Sequence, residues 1–318
     1  MFLTVTANSA LDRIFFIDEF IPGGTMRTRK VVDGVGGKGF DASVTLRALG
    51  QETLSLGFVA GTNGRDLVRL LDQYGIQHEL VWVDGNSRMA HVICESSQGR
   101  HSHLTAGGYS VRPEQVQHFY TIFEKKLAEA QWMVGAGSLP QGIPDNFYRT
   151  LVETADRYHK PSLIDSSGLP GREAAAARPT VLKMNRAEFA ETFEVEVEPL
   201  ETLIQSAVGV RRRYRLNALV VTCGEKGLVA ITPEHVFTVT GPVQKVVNSA
   251  GAGDAASAAL AWRLSLDDPW PSALRWAAAT SAASVLTETT ADCHPGDIHR
   301  LLPEVEVRRL GIDQGDLG

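Results

Sequence analysis

Residues 53–75 read Thr53-Leu-Ser-Leu-Gly-Phe-Val59-Ala60, then Gly61-Thr-Asn-Gly-Arg-Asp66, then Leu67-Val-Arg-Leu70-Leu71-Asp-Gln-Tyr74-Gly75. The first run is short and almost wholly apolar, as in a strand buried on both faces. In the last run Leu67, Leu70, Leu71 and Tyr74 recur at i, i+3, i+4 and i+7 until Gly75 stops the pattern. Strand followed at once by helix is the first half of a βαβ unit, and the unit repeats downstream. Pro113 opens a helix with Val116, Phe119, Phe123 and Leu127 inward, and Trp132 to Gly135 is the next strand. Pro144 opens another helix through Phe147, Leu151, Ala155 and Tyr158, with a strand from Ser162 to Ile164 after it. Val181 to Met184 and Ala218 to Val221 are two more buried strands, separated by helical stretches at Ala187 to Phe193 and Leu200 to Arg213. The alternation predicts an α/β protein with a mostly parallel central sheet.

Two regions break the rhythm. Residues 12–30 and 87–105 read as β segments joined by the turns Pro22-Gly23-Gly24 and Ser97-Gln98-Gly99. They predict a small β lid made from two insertions, standing on a core formed by residues 1–11, 31–86 and 106–318. The lid's open edge offers pairing with a second copy of the chain, as a homodimer, although Arg27, Arg29 and Lys30 also suit a charged cap on that edge.

Composition narrows the partners. Thirty-one Lys and Arg against 37 Asp and Glu leave a formal charge of -6, so no basic field draws in nucleic acid or an anionic membrane. Cys94, Cys223 and Cys293 are odd in number and far apart, which argues against a disulfide framework and for a reducing cytoplasm. The opening residues lack a positive n-region, and no run of about 18 apolar residues occurs, so export and membrane spanning are not expected.

In open α/β sheets ligands bind beyond the carboxyl ends of the strands, and four successive runs end in glycines, hydroxyls and ionisable groups. These endings are Gly135-Ala-Gly-Ser138-Leu-Pro140, Asp165-Ser-Ser-Gly168, Lys183-Met-Asn185-Arg-Ala-Glu188 and Thr222-Cys-Gly224-Glu-Lys-Gly227. Any one of them reads as turn or N-cap chemistry; four together read as a site. Asn248-Ser-Ala250-Gly251-Ala252-Gly253-Asp254 then runs into a strong helix former. Small residues at a helix start let successive N–H groups face one concavity, an anion hole. Asp254 suits the helix dipole as a cap, and it also stands where a phosphoryl-transfer base would take a hydroxyl proton. The stretch fits GxGxxA, but its late position and the lack of an acidic residue about 20 positions on argue against dinucleotide binding. A second glycine cluster, Gly34-Val-Gly36-Gly37-Lys38-Gly39-Phe-Asp41, fails as a P-loop because Val32 takes the first glycine position and Gly39 follows the lysine. It remains a close-approach loop with Lys38 as a cation and Asp41 as a hydroxyl acceptor.

Taken in order, these segments resemble the PfkB, or ribokinase-like, family of carbohydrate kinases. Gly36-Gly37-Lys38-Gly39 resembles its first signature and Asn248 to Asp254 its second. Lys183-x-Asn185-x-x-Glu188 is similar to its magnesium-positioning motif, and Val221-Thr222-x-Gly224-x-x-Gly227 to its nucleotide loop. Thr6-Ala-Asn8-Ser-Ala-Leu-Asp12, Gly137-Ser138-Leu-Pro140-x-Gly142, Asp165-Ser-Ser-Gly168 and Leu301-Leu-Pro-Glu-Val-Glu-Val307 resemble the branch acting on ketohexose phosphates, of the 1-phosphofructokinase and tagatose-6-phosphate kinase type.

The resemblance implies a three-layer α/β/α fold with a β lid, and ATP and Mg2+ at the site. Asp254 would be the base, and the backbone of Ala250, Gly251, Ala252 and Gly253 the anion hole. Lys183, Asn185, Thr222, Gly224 and Gly227 would hold the nucleotide, with residues Ala277 to Ala283 beside the adenine. Glu188 and Asn185 would organise magnesium. Asp12, Gly37, Lys38, Asp41 and Ser138 would hold the sugar, and Arg88 or Arg27 from the lid its phosphate. Asp41 stands where the family usually has Asn, and Thr105-Ala-Gly-Gly108 lacks the Asn-Glu-x-Gly-Pro run of many fructose 1-phosphate enzymes. Ala255-Ala256 replaces the Ser that often follows the base. The readings still open are a kinase for an unphosphorylated sugar or polyol, and a non-catalytic sugar- or nucleotide-binding regulator on the same scaffold.

Overall fold

The computed structural model describes residues 1–311. Its strands are β1 (Phe2–Thr6), β2 (Ala10–Ile17), β3 (Lys30–Gly36), β4 (Thr53–Ala60), β5 (Gln77–Val83), β6 (Arg88–Glu95), β7 (Arg100–Thr105), β8 (Trp132–Ala136), β9 (Ser162–Asp165), β10 (Val181–Asn185), β11 (Leu219–Thr222), β12 (Leu228–Ile231), β13 (Val236–Thr240) and β14 (Glu306–Leu310). Its helices are α1 (Lys38–Ala48), α2 (Gly61–Gln73), α3 (Pro113–Leu127), α4 (Phe147–Arg157), α5 (Gly168–Ala177), α6 (Arg186–Phe193), α7 (Leu200–Tyr214), α8 (Ala252–Leu264), α9 (Trp270–Ser284) and α10 (Pro295–Leu301).

The main sheet has ten strands in the order β14-β13-β12-β11-β10-β9-β8-β1-β4-β5. From β5 to β11 every pairing is parallel, and β12, β13 and β14 close the far edge antiparallel. One face is packed by α3 to α7 through residues such as Phe119, Phe147, Phe189 and Leu203. The other is packed by α1, α8, α9 and α10 through Leu46, Leu260, Leu274 and Leu301. Sheet covered on both faces makes each central strand fully buried, so β1, β4 and β8 are buried at every position, and the few polar residues among them, such as Thr4 and Ser55, are hydroxyls bonded to one another. This is the three-layer α/β/α fold. Val116, Phe119, Phe123 and Leu127 are the buried stripe of α3, whereas α4 begins at Phe147, three residues after the proline expected to open it. No helix of the described residues is long and apolar enough to cross a membrane.

The second sheet has four strands in the order β3-β2-β6-β7, with β2 and β6 parallel and the other two pairs antiparallel. It takes residues 10–17 and 30–36 from the first excursion, so β3 lies beyond the 12–30 segment, inside a stretch assigned to the core. Its glycines hid it. Gly34 and Gly36 read as turn residues, but Gly36 sits in the strand because a Cβ there would collide with the Asp12 carboxyl on β2. Leu11 and Val35 of this sheet pack with Phe40, Val44, Leu67 and Leu71, which ties it to α1 and α2.

Candidate active site

Parallel strand order brings the ends of β9, β10 and β11 side by side, and the starts of α1, α6 and α8 face them. Asp165 is the last residue of β9 and is fully buried. Its Oδ1 accepts from Lys38 Nζ at 2.9 Å and its Oδ2 from Lys183 Nζ at 2.6 Å, with Ser257 Oγ donating to Oδ2 at 3.3 Å. Burial alone would raise the Asp165 carboxyl, but the two lysines outweigh it and hold it down at about 2. Lys38 also donates to Glu188 Oε1 at 2.7 Å. Burial works against its charge, while Asp165, Asp254 and Glu188 together keep it protonated well above the usual lysine range.

Asn185 and Glu188 are a reciprocal cap on α6. Glu188 N–H donates to Asn185 Oδ1 and Asn185 N–H to Glu188 Oε2, both at 2.9 Å. The capping and functional readings of this motif therefore coexist: the cap aims the other Glu188 oxygen at Lys38.

At the start of α8, Gly251 has φ 78°, and a Cβ there would stand 2.5 Å from the Ala291 nitrogen, so glycine is required. A Cβ on Gly253 would come 2.9 Å from Lys183 Nζ, which keeps that approach open. The Ala250 N–H is spent on Asn248 Oδ1 at 3.0 Å, so Ala250 adds no donor to the hole. Ala252 N–H reaches Ser249 O only at 3.5 Å, and among the described residues the N–H groups of Gly251 and Gly253 have no partner. The donors left at this helix start are thus the N–H groups of Gly251 and Gly253, with that of Ala252 weakly held. Asp254 is 8 % exposed in the first turn of the same helix. Burial raises its carboxyl most, Asp165 adds to it, Lys38 and Lys183 oppose, and the outcome is about 7.

These groups open into a cavity of about 760 Å³. Thr222, Gly224 and Gly227 line its far end, where Gly224 and Gly227 have φ 61° and 89°. On α9 only Ala278, Ser281 and Ala282 reach it; Ala277, Ala279 and Ala283 belong to the core face.

A second cluster meets the first at Asp254. Asp12 Oδ2 accepts from Thr290 Oγ1 at 2.7 Å, and burial raises the Asp12 carboxyl to about 7 against that bond and the Arg88 charge. Asp41, on α1 behind Gly37, is within electrostatic reach of Asp254, Asp12 and Arg88. Arg88 reaches only Asn8 O, at 3.5 Å, and Ser138 Oγ accepts from Asn8 Nδ2 at 3.0 Å. Arg27 stays apart, exposed on the segment between β2 and β3.

Sequence reasoning placed Asp165 among the strand endings of the site without giving it a role, and did not single out Ser257, Thr290 or His103. Asp165 carried one visible signal, a carboxylate directly after a buried strand. His103 lines the cavity from β7, and nothing local marked it.

A buried carboxyl beside unpaired helix-start amides, with two lysines held on a neighbouring acid, is an arrangement for moving an anionic group onto a hydroxyl. Known proteins agree with that chemistry. The chain is 27% identical over 310 residues to a 1-phosphofructokinase of Bacillus subtilis, covering 98% of this chain and all of the relative. A possible 1-phosphofructokinase of Thermotoga maritima has the same fold, with TM-score 0.90 at 24% identity over 98% of this chain and all of that one. Phosphofructokinase-2 of Escherichia coli matches with TM-score 0.85 at 21% identity, over 96% of this chain and 98% of that one. The model of the pfkB family of carbohydrate kinases matches residues 3–296, so nearly the whole described chain, anion hole and acid included, belongs to that family.

Proposed function

We propose that the protein transfers the γ-phosphoryl group of ATP to a hydroxyl of a ketohexose phosphate, as a 1-phosphofructokinase or tagatose-6-phosphate kinase does. The observation that carries this reading is Asp254, a buried carboxyl poised near neutrality beside the free amides of Gly251 and Gly253 and the weakly held amide of Ala252. The acceptor hydroxyl gives its proton to the Asp254 carboxylate as its oxygen bonds to the γ-phosphorus. The bond from that phosphorus to the β-bridging oxygen breaks, and ADP leaves with the electron pair. The three amides and Lys38 meet the charge on the transferring group. Thr222, Gly224 and Gly227 cradle the nucleotide, with Ala278, Ser281 and Ala282 beside the base. Asp12, Gly37, Lys38, Asp41 and Ser138 surround the acceptor.

Magnesium belongs to the same reading. Both Asp165 oxygens are held by lysines and both Glu188 oxygens by Lys38 and the cap. Among the described residues no three His, Cys, Asp or Glu side chains converge on one point. Such a donor set fits a cation carried chiefly by the nucleotide phosphates and its own waters, with Glu188 and Asn185 orienting those waters. When bound, the ion would supply charge neutralisation on the nucleotide phosphates. Glu188→Gln is expected to shift the half-saturating magnesium concentration upward at fixed ATP while leaving acceptor KM nearly constant. An unchanged magnesium titration removes Glu188 from this role.

Three separate free thiols accord with a cytoplasmic home. A homodimer through the small sheet would cover Val31 on β3 and Leu104 on β7, both about half exposed.

Arg88 is the cation for the acceptor's phosphate, because a planar guanidinium presents a fork that a phosphate matches. Losing such a contact costs about 1.5–3 kcal/mol, so Arg88→Ala should raise acceptor KM about ten- to a hundredfold and leave KM for ATP alone. Arg27→Ala, by contrast, should change little. A coupled assay over fructose 1-phosphate, fructose 6-phosphate, tagatose 6-phosphate and unphosphorylated ketoses tests the assignment. If an unphosphorylated ketose is the best acceptor and Arg88→Ala leaves its KM unmoved, the phosphosugar reading fails and the kinase reading stands.

A further inference from the structure

The acceptor end holds more acids than its cations can balance. Asp12, Asp41 and Asp254 are 6 %, 4 % and 8 % exposed. Lys38 and Lys183 are committed to Asp165 and Glu188. The groups facing Asp41 are Asp12 from β2, Asp254 from α8, Arg88 from β6, Tyr74 at the end of α2 and the backbone N–H of Gly37. Arg88 is the one cation among them. Its Nε is buried with no hydrogen-bond partner, and so is Oδ1 of Asp41. Carboxyl groups sharing a buried site do not all ionise, because each charge raises the cost of the next. Asp12 already has Thr290 as a donor, and Asp254 has two lysines nearby. Asp41 has neither.

We propose that Asp41 is the specificity-determining residue of the acceptor end: a neutral carboxylic acid whose free Oδ1 edge hydrogen-bonds an uncharged oxygen of the bound sugar. The assignment rests on reading this pocket as the carbohydrate acceptor site. An ionised carboxylate can only accept, whereas the protonated acid both donates and accepts, as an amide would. Burial is the main cause that holds the Asp41 carboxyl far above the ordinary carboxylate range, and the neighbouring Asp254 and Asp12 add to it. Acceptor affinity then requires a proton that the nucleotide does not need.

The test is steady-state KM for the best phosphorylated ketose and for ATP, between about pH 6 and pH 9, in the wild type, Asp41→Asn, Asp41→Ala and Asp12→Asn. In the wild type the acceptor KM should rise about tenfold or more toward alkaline pH as the donated bond is lost, while KM for ATP stays flat. Asp41→Asn should give a pH-independent acceptor KM, Asp41→Ala a raised KM at every pH, and Asp12→Asn should keep the alkaline rise. The substrate's own phosphate ionises equally in all four, so it cancels in the comparison. An alkaline rise that persists in Asp41→Asn, or that vanishes only in Asp12→Asn, overturns the assignment. If no sugar is phosphorylated at all, the functional reading falls and this assignment with it. Turnover with a flat acceptor profile in the wild type removes this assignment alone.

Discussion

Asp254→Asn lowers kcat by about two to four orders of magnitude at saturating ATP and acceptor, the worth of a positioned general base. The substitution is nearly isosteric, and Asn is as good a residue as Asp at a helix start, so the start of α8 and its free amides persist. The pH profile carries the same signature. The Asp254 carboxyl is raised to about 7 by burial and by Asp165, and only its ionised form accepts the proton, so wild-type kcat falls as pH drops below about 7. Stability moves the opposite way. A carboxyl whose folded value lies above its ordinary one costs the fold stability as pH rises through about 7, so the Asn variant should melt higher than the wild type at pH 8. Stopped-time product assays and thermal melts on the same preparations measure both effects. A variant with near wild-type turnover would make Asp254 a cap and nothing more.

The second large effect is structural. Among the described residues Asp165→Asn removes the only carboxylate that bridges Lys38 and Lys183, and it leaves the buried Lys183 ammonium without its ion-pair partner. Breaking a buried ion pair on one side costs about 3–5 kcal/mol, because the stranded charge keeps its desolvation penalty. Urea unfolding at pH 7 should show that loss. Here the folded carboxyl is depressed, to about 2, so its stabilisation is present above the ordinary carboxylate value and disappears as pH falls through about 2. Turnover should fall as well, since Lys38 faces the acceptor and Lys183 the start of α8. A stability change below about 1 kcal/mol would show that the lysines find other partners and that Asp165 is dispensable.

How far the sequence alone reaches depends on the range over which each feature is encoded. The runs 53–75, 113–135 and 144–164 announce strands by short apolar runs and helices by a 3.6-residue period, so the class and the parallel sheet were legible from pattern alone. Gly251 to Asp254 and Asn185 with Glu188 were legible for the same reason: helix-start chemistry is complete within four residues. Strand β3 was not, because Gly34 and Gly36 are turn signals locally, and Gly36 is explained only by the Asp12 side chain on the strand beside it. Asp165 acquired its role from Lys38 and Lys183, which lie 127 and 18 positions away and converge on it only through strand order. Arg88 and, as the other candidate, Arg27 both stood open on the chain; in the fold Arg27 is exposed between β2 and β3 and Arg88 starts β6. The upward shift of the Asp12, Asp41 and Asp254 carboxyls comes from tertiary structure alone. Composition supplies the acids, but only burial by α1, α8 and the small sheet removes the water that would let all three ionise.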